Sequence, residues 1–197
     1  MKKSLSIVCL IIFGITVSQE TKEDKLPYYQ IPDYPENYTA GSVAARLIDG
    51  LGFRYYWATE GLRTQDLEYR PSTEGRACKE TIDHIYGLSK VIVNAATKTI
   101  NDRTNAQKED FTFEDKRKQT LLNFLEASAI LRSQKDLSEY KLIFKSQYGT
   151  SEYPFWNNIN GPIADAIWHT GQVVLMRRAS GNPLNSKVSV FNGKLRE

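Results

Sequence analysis

Asn160-Gly161-Pro162-Ile163-Ala164-Asp165-Ala166-Ile167-Trp168-His169-Thr170-Gly171-Gln172 is the stretch on which the reading of this chain turns. Pro162 suits a first helical turn, while Gly181 and Pro183 suit its end, so the spacing predicts a helix from about 160 to 181. Arg177 and Arg178 in the last turn would complement the negative pole of that helix. Asp165 and His169 are four apart and therefore stand one turn apart on the same face. At 100° per residue, Asp165, His169, Gln172 and Met176 fall in a stripe about 60° wide. Ile163, Ile167, Thr170 and Val174 fall on the opposite side. One face is apolar, and the other carries a carboxylate beside an imidazole.

Working outward, apolar positions recur at helical spacing in three further segments. The first predicted helix runs from about Pro35 to Leu62, with Val43, Leu47, Leu51, Tyr55, Ala58 and Leu62 as its stripe. Gly50 and Gly52 weaken it intrinsically by about 1 kcal/mol each, so packing must hold it there. Arg63 to Arg76 reads as a loop. The second helix runs from about Ala77 to Thr97, with Thr81, Ile85, Leu88 and Ile92 inward and His84 at the margin. Thr112, with Asp115 three residues on, is the expected N-cap of the third, whose inward positions are Leu121, Phe124, Leu125 and Leu131. Four helices joined by loops predict an all-α four-helix bundle over residues 36–182. The segment 140–155 is irregular, with Leu142-Ile143-Phe144 as a short strand or a helical turn. Residues 183–197 form a tail that adds a short strand or stays loose.

The chain has 197 residues, 41% hydrophobic and 25% charged, which is enough apolar material for a core. Lys2 and Lys3, the apolar run Leu5 to Val17, and Thr16-Val17-Ser18 form the three parts of a secretory signal peptide. The run is too short for a spanning helix, so no membrane anchor is expected after cleavage. Val8 before Cys9 does not fit a lipoprotein site. The expected division is a leader at 1–18, an extended lead-in at 19–35 rich in Pro and Tyr, the helical domain, and the tail. The protein is then exported, to the periplasm or the medium. Without Lys2 and Lys3 there are 24 basic against 23 acidic residues, and a near-neutral protein gives no electrostatic reason to expect nucleic acid. Cleavage leaves Cys78 as the sole cysteine, which excludes an intramolecular disulfide and reads as a packed hydrophobe rather than a nucleophile. Asn37-Tyr38-Thr39 matches a glycosylation acceptor, a pattern common by chance.

A helical Asp-x-x-x-His pair can present two donors to one metal ion at ~2.0–2.2 Å. A third ligand is needed, and the chain has only two histidines, His84 and His169. Both lie in predicted helices, and metal sites in bundles form from inward side chains on facing helices. The competing reading is plain: Asp165 near a helix N-terminus is favoured by the dipole alone, and each histidine could be an ordinary buried one.

Leu67-Glu68-Tyr69-Arg70-Pro71, Glu80-Thr81-Ile82-Asp83-His84-Ile85 and Asp165-x-x-x-His169-Thr170-Gly171-Gln172 together resemble the DinB-like (damage-inducible) superfamily of bacterial four-helix bundles. That family pairs a histidine on its second helix with H-x-x-x-H on its last, followed by a basic residue, Gly and Gln. The resemblance spans roughly 36–180. It makes His84 the first ligand and His169 the last. Asp165 stands where the middle histidine would be, which keeps a donor there. Thr170 departs from the usual basic residue.

The metal set implied is His84, Asp165 and His169 around one divalent ion. Zinc suits it best, and Ni, Fe(II) and Mn are compatible. Three protein ligands leave a coordination position open, as in catalytic sites. The leading expectation is a metal-dependent hydrolase acting on an unidentified small molecule. The alternatives are a metal-dependent thiol S-transferase, implied only by members of the resembling family, and a non-catalytic metal-binding or interaction protein. Gln172 either meets a ligand or ties its helix to a neighbour. Trp57, Trp156 and Trp168 could wall a pocket, but in a bundle aromatics are core by default. A homodimer is left open.

Overall fold

The computed structural model describes residues 25–104 and 109–197. The signal-peptide reading of residues 1–18, with Lys2, Lys3, Cys9 and the Gln19 cleavage point, lies outside the described residues. The described chain is mostly helical, with a few short strands. Its four long helices are α1 (Ala40–Thr59), α3 (Cys78–Ala96), α4 (Phe113–Arg132) and α6 (Ala164–Ala179). Helix α1 packs on α4 and α6, and α3 packs on the same two, so the four enclose one core. Ile48, Leu51, Tyr55, Ile82, Ile85, Ile92, Leu121, Phe124, Leu131 and Ile163 are fully buried in it.

The start of α1 is set by its cap. Thr39 Oγ1 accepts from the Ser42 N–H at 3.1 Å, and Ser42 Oγ accepts from the Thr39 N–H at 2.8 Å. This reciprocal pair satisfies two of the free donors of the first turn, so the helix begins at Ala40 rather than near Pro35. Thr112 and Asp115 cap α4 in the same way, as the sequence predicts. The inward stripe of α1 differs from the expected one in its first half. Val43 is 54% and Leu47 38% exposed, and Ala44, Ala45 and Ile48 are buried in their place. On α4, Leu125 is also exposed, while Leu121, Phe124 and Leu131 are buried. Gly52 serves packing: a Cβ there would come within 2.5 Å of the Tyr28 ring, which lies against the helix backbone. Tyr28 anchors the lead-in by donating to Asp49 Oδ1 at 3.1 Å. Asp49 is fully buried and also accepts from Ser128 and Arg132 of α4.

Residues 63–76 are not wholly loop. Thr64–Glu68 forms the five-residue helix α2. Its Asp66, fully buried, accepts from the backbone N–H, Nε and Nη2 of Arg63, from Ser180 Oγ at 2.6 Å and from Asn182 Nδ2 at 2.7 Å. Arg177 lies beside this network. It is buried, and its Nη1 donates to the carbonyls of Trp57, Ala58 and Glu60 at 3.0 Å each. Arg177 therefore satisfies carbonyls at the C-terminus of α1, rather than only balancing the end of its own helix. Together Asp66 and Arg177 join the ends of α1, α2 and α6.

The segment 140–155 resolves as a strand hairpin, not a helical turn. β2 (Leu142–Ser146) and β3 (Gly149–Tyr153) pair antiparallel, with Leu142 opposite Tyr153. The two-residue strand β1 (Asn101–Asp102) joins β2 in parallel. In the tail, Val188–Ser189 (β4) and Lys194–Leu195 (β5) pair antiparallel, and Val188 packs with Phe53 and Trp57 of α1.

The approach to α6 departs most from expectation. Phe155–Asn158 (α5) runs into a π-helical turn, Ile159–Ile163, and then directly into α6. Asn158, Ile163 and Ala164 all hold right-handed helical angles. The helical path therefore begins at Phe155, and Pro162 sits inside it rather than at its first turn. A wider turn accommodates a ring that has no N–H to give.

Candidate metal centre

Because the helical path begins ten residues earlier, Asp165 does not stand at a free helix N-terminus. Dipole stabilisation fades beyond the first turn, so it gives little reason for a carboxylate at this position. The position is explained instead by what it faces. Helix α6 buries Ile163, Ala166, Thr170 and Val173 against the core, with Ile167 and Val174 half-buried. This places Asp165 and His169 at the margin towards α3, where His84 stands on the partly exposed edge of its helix.

The three sequence-predicted residues converge. His84 Nε2 lies 3.0 Å from Asp165 Oδ2, and His169 Nε2 lies 3.3 Å from Asp165 Oδ1. The two imidazole rings meet edge to face, with centroids 4.7 Å apart. One donor atom from each residue can be chosen so that all lie within 4.8 Å of one another. Donors ~2.1 Å from an ion at tetrahedral angles stand about 3.4 Å apart. The two imidazoles meet different oxygens of Asp165 at ion-pair distances, and with small shifts of the three side chains the group could hold a metal ion.

Gln172 fixes one of the rings. Its Oε1 lies 2.8 Å from His169 Nδ1. An amide oxygen only accepts, so in this orientation of the Gln172 amide Nδ1 donates and Nε2 is the ring atom turned to Asp165. It stands 3.3 Å from a carboxylate oxygen. A cation between the two, either a proton or a metal ion, satisfies both. An outer partner that orients a ligating histidine in this way is a regular feature of metal sites. Replacing Gln172 with alanine is therefore expected to weaken zinc affinity about 10–100-fold without abolishing binding. Competition against a chromogenic chelator reads this directly.

The site opens onto a cleft of about 870 Å³, lined by the three residues with Gln172 and Met176 on one side and Tyr69, Pro71, Gly75 and Arg76 on the other. The side chains of His84, Asp165 and His169 are 33%, 38% and 15% exposed, so an ion could reach all three from solvent. The second wall comes from the loop after α2. Glu80 accepts from the Ala77 N–H at 2.7 Å, and Arg70 pairs with the same carboxylate at 3.0 Å. The Ala77 N–H, and then Arg70, hold the Glu80 carboxyl below the usual range. The Cys78 N–H donates to the Tyr69 carbonyl at 2.9 Å. These bonds fasten the loop to the start of α3. Spacing alone does not reveal this wall, since no helical period runs through it.

Other candidates separate from the site. Cys78 is fully buried, and burial pushes its thiol up to about 11, as expected of a packed side chain rather than a nucleophile. Of the tryptophans, only Trp57 is core; Trp156 and Trp168 are each 73% exposed. Among the described residues, no helix is long and apolar enough to cross a membrane. No protein-family model matches the chain, and no curated protein or solved structure matches it either.

Proposed function

We propose that this is an exported, DinB-like four-helix-bundle protein that binds one divalent metal ion, zinc by preference, through His84, Asp165 and His169, and that it is a metal-dependent hydrolase of a small molecule. The observation that carries the reading is the convergence of His84, Asp165 and His169, one donor atom from each lying within 4.8 Å of the others, with Gln172 orienting the His169 ring. Four long helices packed around one core, with the histidine of α3 meeting the pair on α6, agree with the motif resemblance. A divalent ion held by three protein donors supplies Lewis acidity and lowers the pKa of water toward ~7. The chain's own part is to orient. Gln172 orients the His169 ring, Asp165 offsets one unit of charge, and the Tyr69–Arg76 wall limits the approach of solvent and substrate to one side.

The test is a panel of ester, amide and phosphoester substrates assayed with the zinc-loaded protein. Turnover that disappears on chelation and in His169→Ala supports the hydrolase. Turnover only with an added low-molecular-weight thiol moves the protein to the transferase class. Stoichiometric zinc without turnover, and with no small anion able to perturb the site, leaves a passive metal binder. Export is tested separately by N-terminal mass analysis from the native host, with a terminus near Gln19 expected and an intact Met1 contradicting it.

A further inference from the structure

The walls of the cleft carry a charge pattern that narrows the substrate class. Of the residues lining it, Asp165 is the sole acid, and Arg76 is the sole residue with a permanent positive charge. Among the described residues, Arg76 makes no ion pair or hydrogen bond, unlike the neighbouring Arg63 and Arg70, which are both committed to carboxylates. A cation at the triad would cancel the charge of Asp165 and leave the cleft positive, with Arg76 at its mouth. Beside the polar Tyr69 and Gln172, the lining carries apolar side chains: Leu175 is 66% exposed, and next to it Met176 is nearly buried. Trp168, one turn-pair before Leu175 on the same edge of α6, is 73% exposed. The cleft therefore combines an exposed leucine with an uncommitted guanidinium in one lining, and the helix edge that carries the leucine continues to an exposed tryptophan.

We infer that the cleft takes a small amphiphilic acid, with Arg76 pairing its carboxylate and Leu175 and Met176 carrying its apolar part. The guanidinium fork matches a carboxylate in two parallel hydrogen bonds, which a lysine would not do. An exposed ion pair alone is weak, but an apolar tail laid on Leu175 excludes water from one side of it. This inference rests on the metal-site reading, because a bound cation offsets Asp165 and leaves Arg76 as the uncompensated charge of the cleft.

The experiment uses the full chain, with hexanoate, hexanol and acetate as probes. Met1 and Met176 are the chain's two methionines, so a labelled methionine methyl gives an assignable signal in the floor of the cleft. In zinc-loaded protein, hexanoate is expected to shift the Met176 methyl and to bind about tenfold more tightly than either hexanol or acetate. Arg76→Gln, at an exposed and unpaired position, should bring hexanoate down to the level of hexanol. Leu175→Ser should weaken hexanoate several-fold and leave acetate unchanged. Raising the salt should weaken hexanoate and acetate and leave hexanol unchanged. Equal binding of hexanoate and hexanol, or an unchanged hexanoate affinity in Arg76→Gln, would overturn the inference. Zinc titration of the same samples reports the metal reading by itself: absence of zinc binding removes that reading and this inference with it, and full zinc binding without Arg76 dependence removes only this inference.

Discussion

Replacing His169 with alanine is expected to abolish one-to-one zinc binding while leaving the helical content unchanged. His169 is the most enclosed of the three donors, and its ring is the one oriented by a neighbour. Losing an outer partner typically costs 10–100-fold in affinity, and losing a ligand costs more, so a fall of at least about a hundredfold is the minimum expected. The fold should survive because the core positions of α6 are Ile163, Ala166, Thr170 and Val173, on another side of the helix. Asp165→Asn should fall between wild type and His169→Ala, since an amide keeps an oxygen donor but not the charge. Calorimetric zinc titration alongside circular dichroism checks both. Full zinc occupancy in His169→Ala would remove the site as described.

The second large effect is on stability. Asp66→Ala is expected to destabilise the protein by about 3 kcal/mol at neutral pH, a substantial part of a typical 5–15 kcal/mol total. The substitution removes the acceptor of the Arg63 backbone N–H and guanidinium and leaves Ser180 only the Arg177 carbonyl and Asn182 only the Gly61 carbonyl, around a space that was fully buried. Hydrogen bonds from Arg63, above all, hold the Asp66 carboxyl well below the usual range. A depressed folded pKa means that the stabilisation is present above the unfolded value of about 3.9 and is lost as pH falls below it. Wild type should therefore lose stability steeply below about pH 4, and Asp66→Ala should lose less over the same interval. Denaturant unfolding at several pH values tests this. Parallel acid limbs for the two proteins would show that Asp66 does not carry the dependence.

What was legible in the sequence was whatever local chemistry dictates. The Thr112–Asp115 cap set the start of α4, and the stripe of Thr81, Ile85 and Ile92 placed the inner face of α3. The four-residue step from Asp165 to His169 set their shared face, and the motif resemblance, not spacing, pointed to His84 as the third ligand. What was not legible depends on partners far along the chain. Helix α2 is five residues long and is held by Asp66 through residues 114 and 116 positions away. No periodicity in a segment of that length could announce it. The π-helical turn hid the true start of the last helix, because Pro162 imitates a first-turn proline. Val43, Leu47, Trp156 and Trp168 are apolar yet exposed, and a pattern of residue types cannot distinguish a core face from a surface kept apolar.

The central claim is that His84, Asp165 and His169 jointly hold one divalent ion, and X-ray absorption at the zinc edge of the zinc-loaded protein tests it most directly. The account predicts one zinc per chain, two imidazole nitrogens at ~2.0–2.1 Å and oxygen donors at ~2.0–2.2 Å. A sulfur shell near ~2.3 Å, which would implicate cysteine, or a spectrum without imidazole scattering would contradict it.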